Sequence, residues 1–241
     1  MSRLLAFDTS TETLAVALRA GGVDRRHLGP GGVTASALFL PAIKRLLDDA
    51  GIAFAALDAI AFGRGPGAFT GLRTSCAVAQ GLGLGLGLPL LALDSLLVVA
   101  EDARLQAAPA AAEFEVGVAM DARMSEAYAG RYRWRGGRWQ VVTAPALYTL
   151  EALTMTWAEP PPWLAGSALN AFGDRLGLPA SLPRIADERD RAAALIALAQ
   201  QGFDAGEAVD AADALPLYLR DKVALTTLER EAAREMSAAR Q

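Results

Sequence analysis

Gly63-Arg64-Gly65-Pro66-Gly67-Ala68-Phe69-Thr70-Gly71-Leu72-Arg73 is the stretch whose reading decides the fold. It follows Leu57-Asp58-Ala59-Ile60-Ala61-Phe62, an apolar run that reads as a buried strand, and precedes a segment of small residues. Glycines let a backbone take positive φ and approach another group closely. A helix start adds unpaired N–H groups and a positive dipole end. Strand, glycine loop and helix start together make a seat for an anion or for a tightly apposed chain. No Gly-Lys-Ser/Thr follows, and the spacing is not that of a dinucleotide fold. Residue chemistry alone leaves a structural turn and a binding loop both open.

Upstream, Arg3–Phe7 reads as a buried strand ending at Asp8-Thr9-Ser10. Thr13–Leu18 and Val23–Leu28 read as the next two strands, joined by a hairpin turn at Gly21-Gly22. Thr34–Ala50 has helical periodicity, with Phe39, Ile43, Leu46 and Leu47 on one face and Gly51 as the stop. Pro41 predicts a kink in it or a later start.

Downstream, the Gly/Leu alternation at 81–88 resembles a strand by its period of two. Two stripes spaced by four argue instead for a helix: Ser75, Ala79, Gly83 and Gly87, and Ala77, Gly81 and Gly85. A turn at Gly87-Leu88-Pro89, a strand at Leu90–Ala92 and a helix capped by Asp94 or Ser95 follow. The Ala/Pro-rich stretch 107–112 reads as a linker. Beyond it, Glu113–Asp121, Ser125–Trp134 and Arg138–Thr143 form a meander with a turn at Arg135-Gly136-Gly137. Weaker signals mark a strand at Pro162–Gly166 and helices at Arg189–Gln201 and Glu229–Arg240. The expected organisation is an α/β protein of two lobes, 1–106 and a reduced 113–241, with mixed sheets flanked by helices.

Composition narrows the function. A chain of 241 residues with 53% hydrophobic and 21% charged residues has a globular balance. Net charge −4 argues against tight nucleic-acid binding by the chain alone. Arg131, Arg133, Arg135 and Arg138 form a local basic cluster that reads as a solvated hairpin. One cysteine, Cys76, rules out an internal disulfide, which suits a reducing compartment. One histidine, His27, rules out a Cys/His metal cluster and reads as a surface residue. Asp8 and Glu12 interrupt the apolar start, so no signal peptide is expected. Residues 74–93 carry no charge over the length of a membrane span, but their glycines and Pro89 predict a buried helix, turn and strand.

Several segments together resemble the bacterial TsaB family, also called YeaZ. They are Leu5-Ala6-Phe7-Asp8-Thr9-Ser10-Thr11-Glu12, the glycine loop through Arg73, Ala79-Gln80-Gly81-Leu82 and Asp94-Ser95-Leu96. Met120-Asp121-Ala122-Arg123-Met124 and Pro216-Leu217-Tyr218-Leu219-Arg220 add support. The resemblance covers most of the chain in order, and the glycine-loop motif is its most specific part. It implies a two-lobed ASKHA (actin-like ATPase, ribonuclease H-like) fold with the second lobe reduced. It also implies a cytoplasmic, non-catalytic paralogue of the catalytic subunit TsaD. With TsaD, TsaE and ATP, such a subunit serves formation of threonylcarbamoyladenosine next to the anticodon of ANN-decoding tRNAs. TsaD-like proteins carry a His-x-x-x-His pair on the first long helix, and the comparable stretch Thr34–Pro41 holds no histidine.

Family members dimerise through their first two long helices, which implies interface roles for Leu38, Pro41, Gly71, Ser75, Ala79 and Gly83, in a homodimer or with TsaD. Asp8, Thr9, Ser10, Gly65, Gly67 and Thr70 are the implied nucleotide or phosphate contacts. No metal or cofactor is expected to be intrinsic, with ATP and Mg at the assembled complex and tRNA reached through it. Asp121 and Arg123 read either as a structural ion pair at the lobe junction or as ligand contacts. The alternative reading is an independent kinase or nucleotide phosphohydrolase of the same fold with Asp8 at the phosphate; weak ATPase activity is compatible with either. Protease chemistry lacks its clustered histidines and its Gly-x-Ser-x-Gly elbow.

Overall fold

The computed structural model describes residues 1–220. The expected helix at Glu229–Arg240 lies outside the described residues. Each of two five-stranded sheets repeats one plan. In the first, β1 (Leu4–Asp8), β2 (Thr13–Ala20) and β3 (Val23–Pro30) form an antiparallel meander. Two parallel strands then extend it, β4 (Ala59–Gly65) beside β1 and β5 (Leu90–Asp94) beside β4. The second sheet does the same with β6 (Glu113–Asp121), β7 (Glu126–Arg135), β8 (Arg138–Thr149), β9 (Trp163–Ala165) and β10 (Arg184–Ile185). Both orders read third, second, first, fourth, fifth. The second half keeps the topology and is shortened in its last two strands and in its helices α4 (Leu150–Thr156) and α5 (Ala168–Phe172).

The alternation of side chains along each strand assigns the layers. On one face of the first sheet, Leu5, Phe7, Val16, Ile60 and Phe62 pack against α1 (Ala35–Ala50) and α2 (Phe69–Leu86). On the other face stand Leu4, Ala6, Ala15, Ala17, Ala59 and Ala61. The small residues there admit α6 (Arg191–Asp204), whose own Ala192, Ala194 and Ala199 are buried in the same cluster. Helix α3 (Ser95–Ala107) lies beside α6 and carries Leu96, Val99, Ala100 and Ala103 to Val116, Val118 and Tyr132 of the second sheet. The outer face of that sheet is covered by α4 (Leu150–Thr156) and α5 (Ala168–Phe172). On α3 the buried Arg104 holds Glu101 through two hydrogen bonds of 2.8 Å, and buried Asp102 accepts the Arg189 and Asp190 N–H groups.

Several element boundaries differ from the sequence reading. Gly63, Arg64 and Gly65 belong to β4, so the loop proper begins at Pro66. Helix α1 starts at Ala35 and keeps Pro41 in its interior, on the exposed side. Strand β8 runs on to Thr149, and as an edge strand it tolerates Pro145. Gly87 closes α2 with φ +66°, the left-handed stop expected of it. The arginines of the basic hairpin's first strand, β7, pair with the neighbouring β6, Arg131 and Arg133 to Glu115 and Arg135 to Glu113. Among the described residues, no helix is long and apolar enough to cross a membrane. The α3–β6 connection spans 108–112, and the chain returns to the first sheet with α6.

Candidate functional site at the end of the first strand

Asp8 ends β1 with its side chain wholly buried. Its Oδ1 accepts the Ser10 N–H at 2.6 Å. Its Oδ2 accepts the Ser95 hydroxyl at 3.1 Å and Nη2 of Arg191 at 2.7 Å. Arg191 is also buried, and its Nη1 reaches Glu188 at 2.5 Å. Burial alone would raise the Asp8 pKa, but the Arg191 charge and the Ser10 and Arg191 hydrogen bonds overcome it, leaving it below the usual carboxylate value. Glu188 moves the other way, because its desolvation outweighs its contact with Arg191.

The duplicated plan accounts for the convergence on Asp8. Asp94 caps α3 by accepting the Leu96 N–H, and Asp190 caps α6 by accepting the Ala193 N–H, each at 2.9 Å. The residue after each cap, Ser95 and Arg191, points its side chain at the same Oδ2. Asp121 corresponds to Asp8 in the second half and makes the same turn, its Oδ1 accepting the Arg123 N–H at 2.8 Å. Gly65 and Gly166 match as well, at φ +111° and +108°.

The glycine loop packs against β1 and its continuation. A Cβ on Gly63 would lie 2.0 Å from Asp8 Oδ2, one on Gly67 2.7 Å from the Ser10 carbonyl, and one on Gly71 1.9 Å from the Thr9 carbonyl. Thr9 donates its hydroxyl to the Gly71 carbonyl at 2.7 Å, and Ser75 Oγ accepts the Thr9 N–H at 2.9 Å. Gly65 donates its N–H to Ser95 Oγ at 3.1 Å. Thr70 is exposed on the first turn of α2. The chain's last described residues cross the loop: the Leu217 N–H bonds the Arg64 carbonyl at 2.7 Å, and Tyr218 meets the Phe69 ring at 5.5 Å. Arg220 then bonds the Ala122 carbonyl and Glu126 in the second half. The Pro216–Arg220 motif thus straps the loop to the turn that contains Arg123.

The expected interface residues divide. Leu38 and Pro41 are exposed on α1. Ser75 and Ala79 are instead buried against the first sheet, Gly83 abuts Ala211 and Leu90, and Gly71 abuts Thr9. These four pack within the chain, on the stripe that faces the sheet and the returning chain, and Leu38 and Pro41 are the exposed members of the expected set. The outward stripe of α2 is the other one, Ala77, Gly81 and Gly85, with Leu84 beside it. Asp121 and Arg123 do meet, at 3.6 Å, and Arg123 also reaches Glu12 of the first hairpin at 3.5 Å. Both pairs involve the exposed Arg123, so each adds little stability. Arg191, Ser95 and Glu188 are site residues that the sequence reading missed. The one sequence signal for Arg191 is that Asp190-Arg191 repeats the position of Asp94-Ser95.

The family model described as TsaD, tRNA N6-adenosine threonylcarbamoyltransferase, matches residues 34–166. The tRNA threonylcarbamoyladenosine biosynthesis protein TsaB of Escherichia coli (strain K12) is 32% identical over 233 residues, 92% of this chain and 96% of that protein. This chain belongs to the TsaB family. Its Haemophilus influenzae member is 40% identical over 127 residues, covering 52% of this chain and 51% of that one. Two Pseudomonas aeruginosa structures agree over 91% of this chain and 100% of theirs. One, described as YeaZ, superposes with TM-score 0.79 at 36% identity. The other, described as uncharacterized with similarity to peptidase YEAZ, gives 0.82 at 37%. A TsaD model matching a TsaB chain fits the paralogy that the sequence resemblance implies. Among the described residues, no group of three or more His, Cys, Asp or Glu is placed to hold a metal ion.

Proposed function

We propose that this chain is the non-catalytic TsaB subunit of a tRNA threonylcarbamoyladenosine-forming complex, and that it activates TsaD by docking against it in the cytoplasm. The full-length match to a relative named for that biosynthesis carries the reading. The Asp8 site supports the non-catalytic part, since a carboxylate already bound to a buried guanidinium has no free charge to offer a substrate. TsaE, ATP and the tRNA enter through the complex.

The docking surface we assign is the outer side of α1 and α2, which lie over the same face of the first sheet. It carries exposed Leu38, Leu40, Pro41 and Leu84, the three leucines at 41, 52 and 65%. Gly81 and Gly85 meet nothing within 4 Å, so a partner backbone can come close there. A homodimer through the same surface would compete with TsaD.

Gly81→Glu tests the surface. The added side chain enters open space, so the variant is expected to melt within a few degrees of the parent. Its affinity for TsaD, measured by calorimetry, is expected to fall at least about a hundredfold, close to 3 kcal/mol. Unchanged affinity in a folded variant removes this surface from the account.

A further inference from the structure

The actin-like fold implies a magnesium–nucleotide at the end of β1, and the residues of this chain do not fit one. Magnesium takes a near-octahedral oxygen shell at about 2.0–2.1 Å and keeps several of its waters. The Asp8 carboxylate is fully buried, and both of its oxygens already accept hydrogen bonds, from Ser10, Ser95 and Arg191. Gly63 forms a wall so close that even a methyl group would overlap Oδ2.

A buried carboxylate needs a positive partner. Here that partner is delivered by the chain itself, from the first residue of α6, 183 positions from Asp8. The same guanidinium also holds the Glu188 carboxylate. Two carboxylates thus share one fixed cation, with the Ser95 hydroxyl on the same Asp8 oxygen, and these are oxygen groups of the kind a hard divalent ion takes.

We propose that the Asp8 pocket is a cation site whose permanent occupant is the guanidinium of Arg191, which closes it to a divalent metal and so to a metal-bound nucleotide. This deepens the non-catalytic reading above. Its test uses the isolated chain and no tRNA, so the two fail separately.

Mn²⁺ is the probe, titrated into the full-length chain and followed by electron paramagnetic resonance of the free ion. Four proteins are compared: the parent, Arg191→Ala, Arg191→Lys, and Arg191→Ala combined with Asp8→Asn. Arg191→Ala is expected to bind one Mn²⁺ at least about tenfold more tightly than the parent. Arg191→Lys keeps a tethered cation and is expected to behave like the parent, and the double variant to lose the site. Arg191→Ala binding no better than the parent overturns the proposal, as does a double variant that binds equally well. Should Arg191→Ala unfold in metal-free buffer, recovery of its circular dichroism at millimolar Mn²⁺ supports the proposal. Failure to recover at any Mn²⁺ concentration overturns it.

Discussion

Replacing Arg191 by methionine is expected to destabilise the chain by about 3–5 kcal/mol, because it strands the fully buried Asp8 carboxylate without its cation. For a chain of this size that is a fall in melting temperature of roughly 10 °C or more. Adding Asp8→Asn removes the stranded charge, and the amide oxygen can still accept the Ser10 N–H. The double variant is therefore expected to recover much of the loss, and urea unfolding of the four corners of this cycle measures the coupling. Equal destabilisation in the single and double variants would contradict the pairing.

The pair also has a pH signature. A carboxylate whose native pKa is lowered contributes fully above its unfolded value, and that contribution is lost as pH falls through the native value. The stability difference between the parent and Asp8→Asn is expected to stay flat from pH 7 to 5 and to shrink below about pH 4.

Gly71→Ala and Gly85→Ala make the same change in the same helix and are expected to act in opposite directions. At Gly71 the new methyl would meet the Thr9 carbonyl at 1.9 Å. Neither backbone can yield without moving the end of β1 away from Asp8's partners. The expected loss is about 3 kcal/mol or more, beyond ordinary overpacking, read as insoluble or strongly destabilised protein. At Gly85 there is open space, and alanine is the better helix former by about 1 kcal/mol. That variant is expected to melt a few degrees higher. A tolerated Gly71→Ala would mean that the loop does not pack on β1 as described.

These glycines also mark how far the sequence could be read. The order of strands in the first half was legible from apolar runs punctuated by Gly21-Gly22, Gly51 and Gly87, since each needs the left-handed conformation it takes. The two stripes of α2 were not distinguishable, because both are small residues spaced by four. Which of them faces inward depends on the sheet beneath and on Ala211 and Ala214 returning from the C-terminal end. The short elements β10, α4 and α5 escaped because two to seven residues carry little periodicity. Asp8 was recognisable from its place after a buried strand. Its partner was not, since Arg191 sits in a segment whose local pattern says only that a helix begins. The correspondence with Asp94-Ser95 becomes visible once the two sheets are seen to share one order.

The central claim is that this chain activates TsaD without performing the chemistry. The direct test is formation of threonylcarbamoyladenosine on tRNA by the cognate TsaD, TsaE and threonylcarbamoyl-adenylate synthase, with the chain present or left out. The account predicts product only when the chain is added, with full activity retained by Asp8→Asn protein that has been checked for folding. Equal product without the chain, or activity lost in that folded variant, would contradict it.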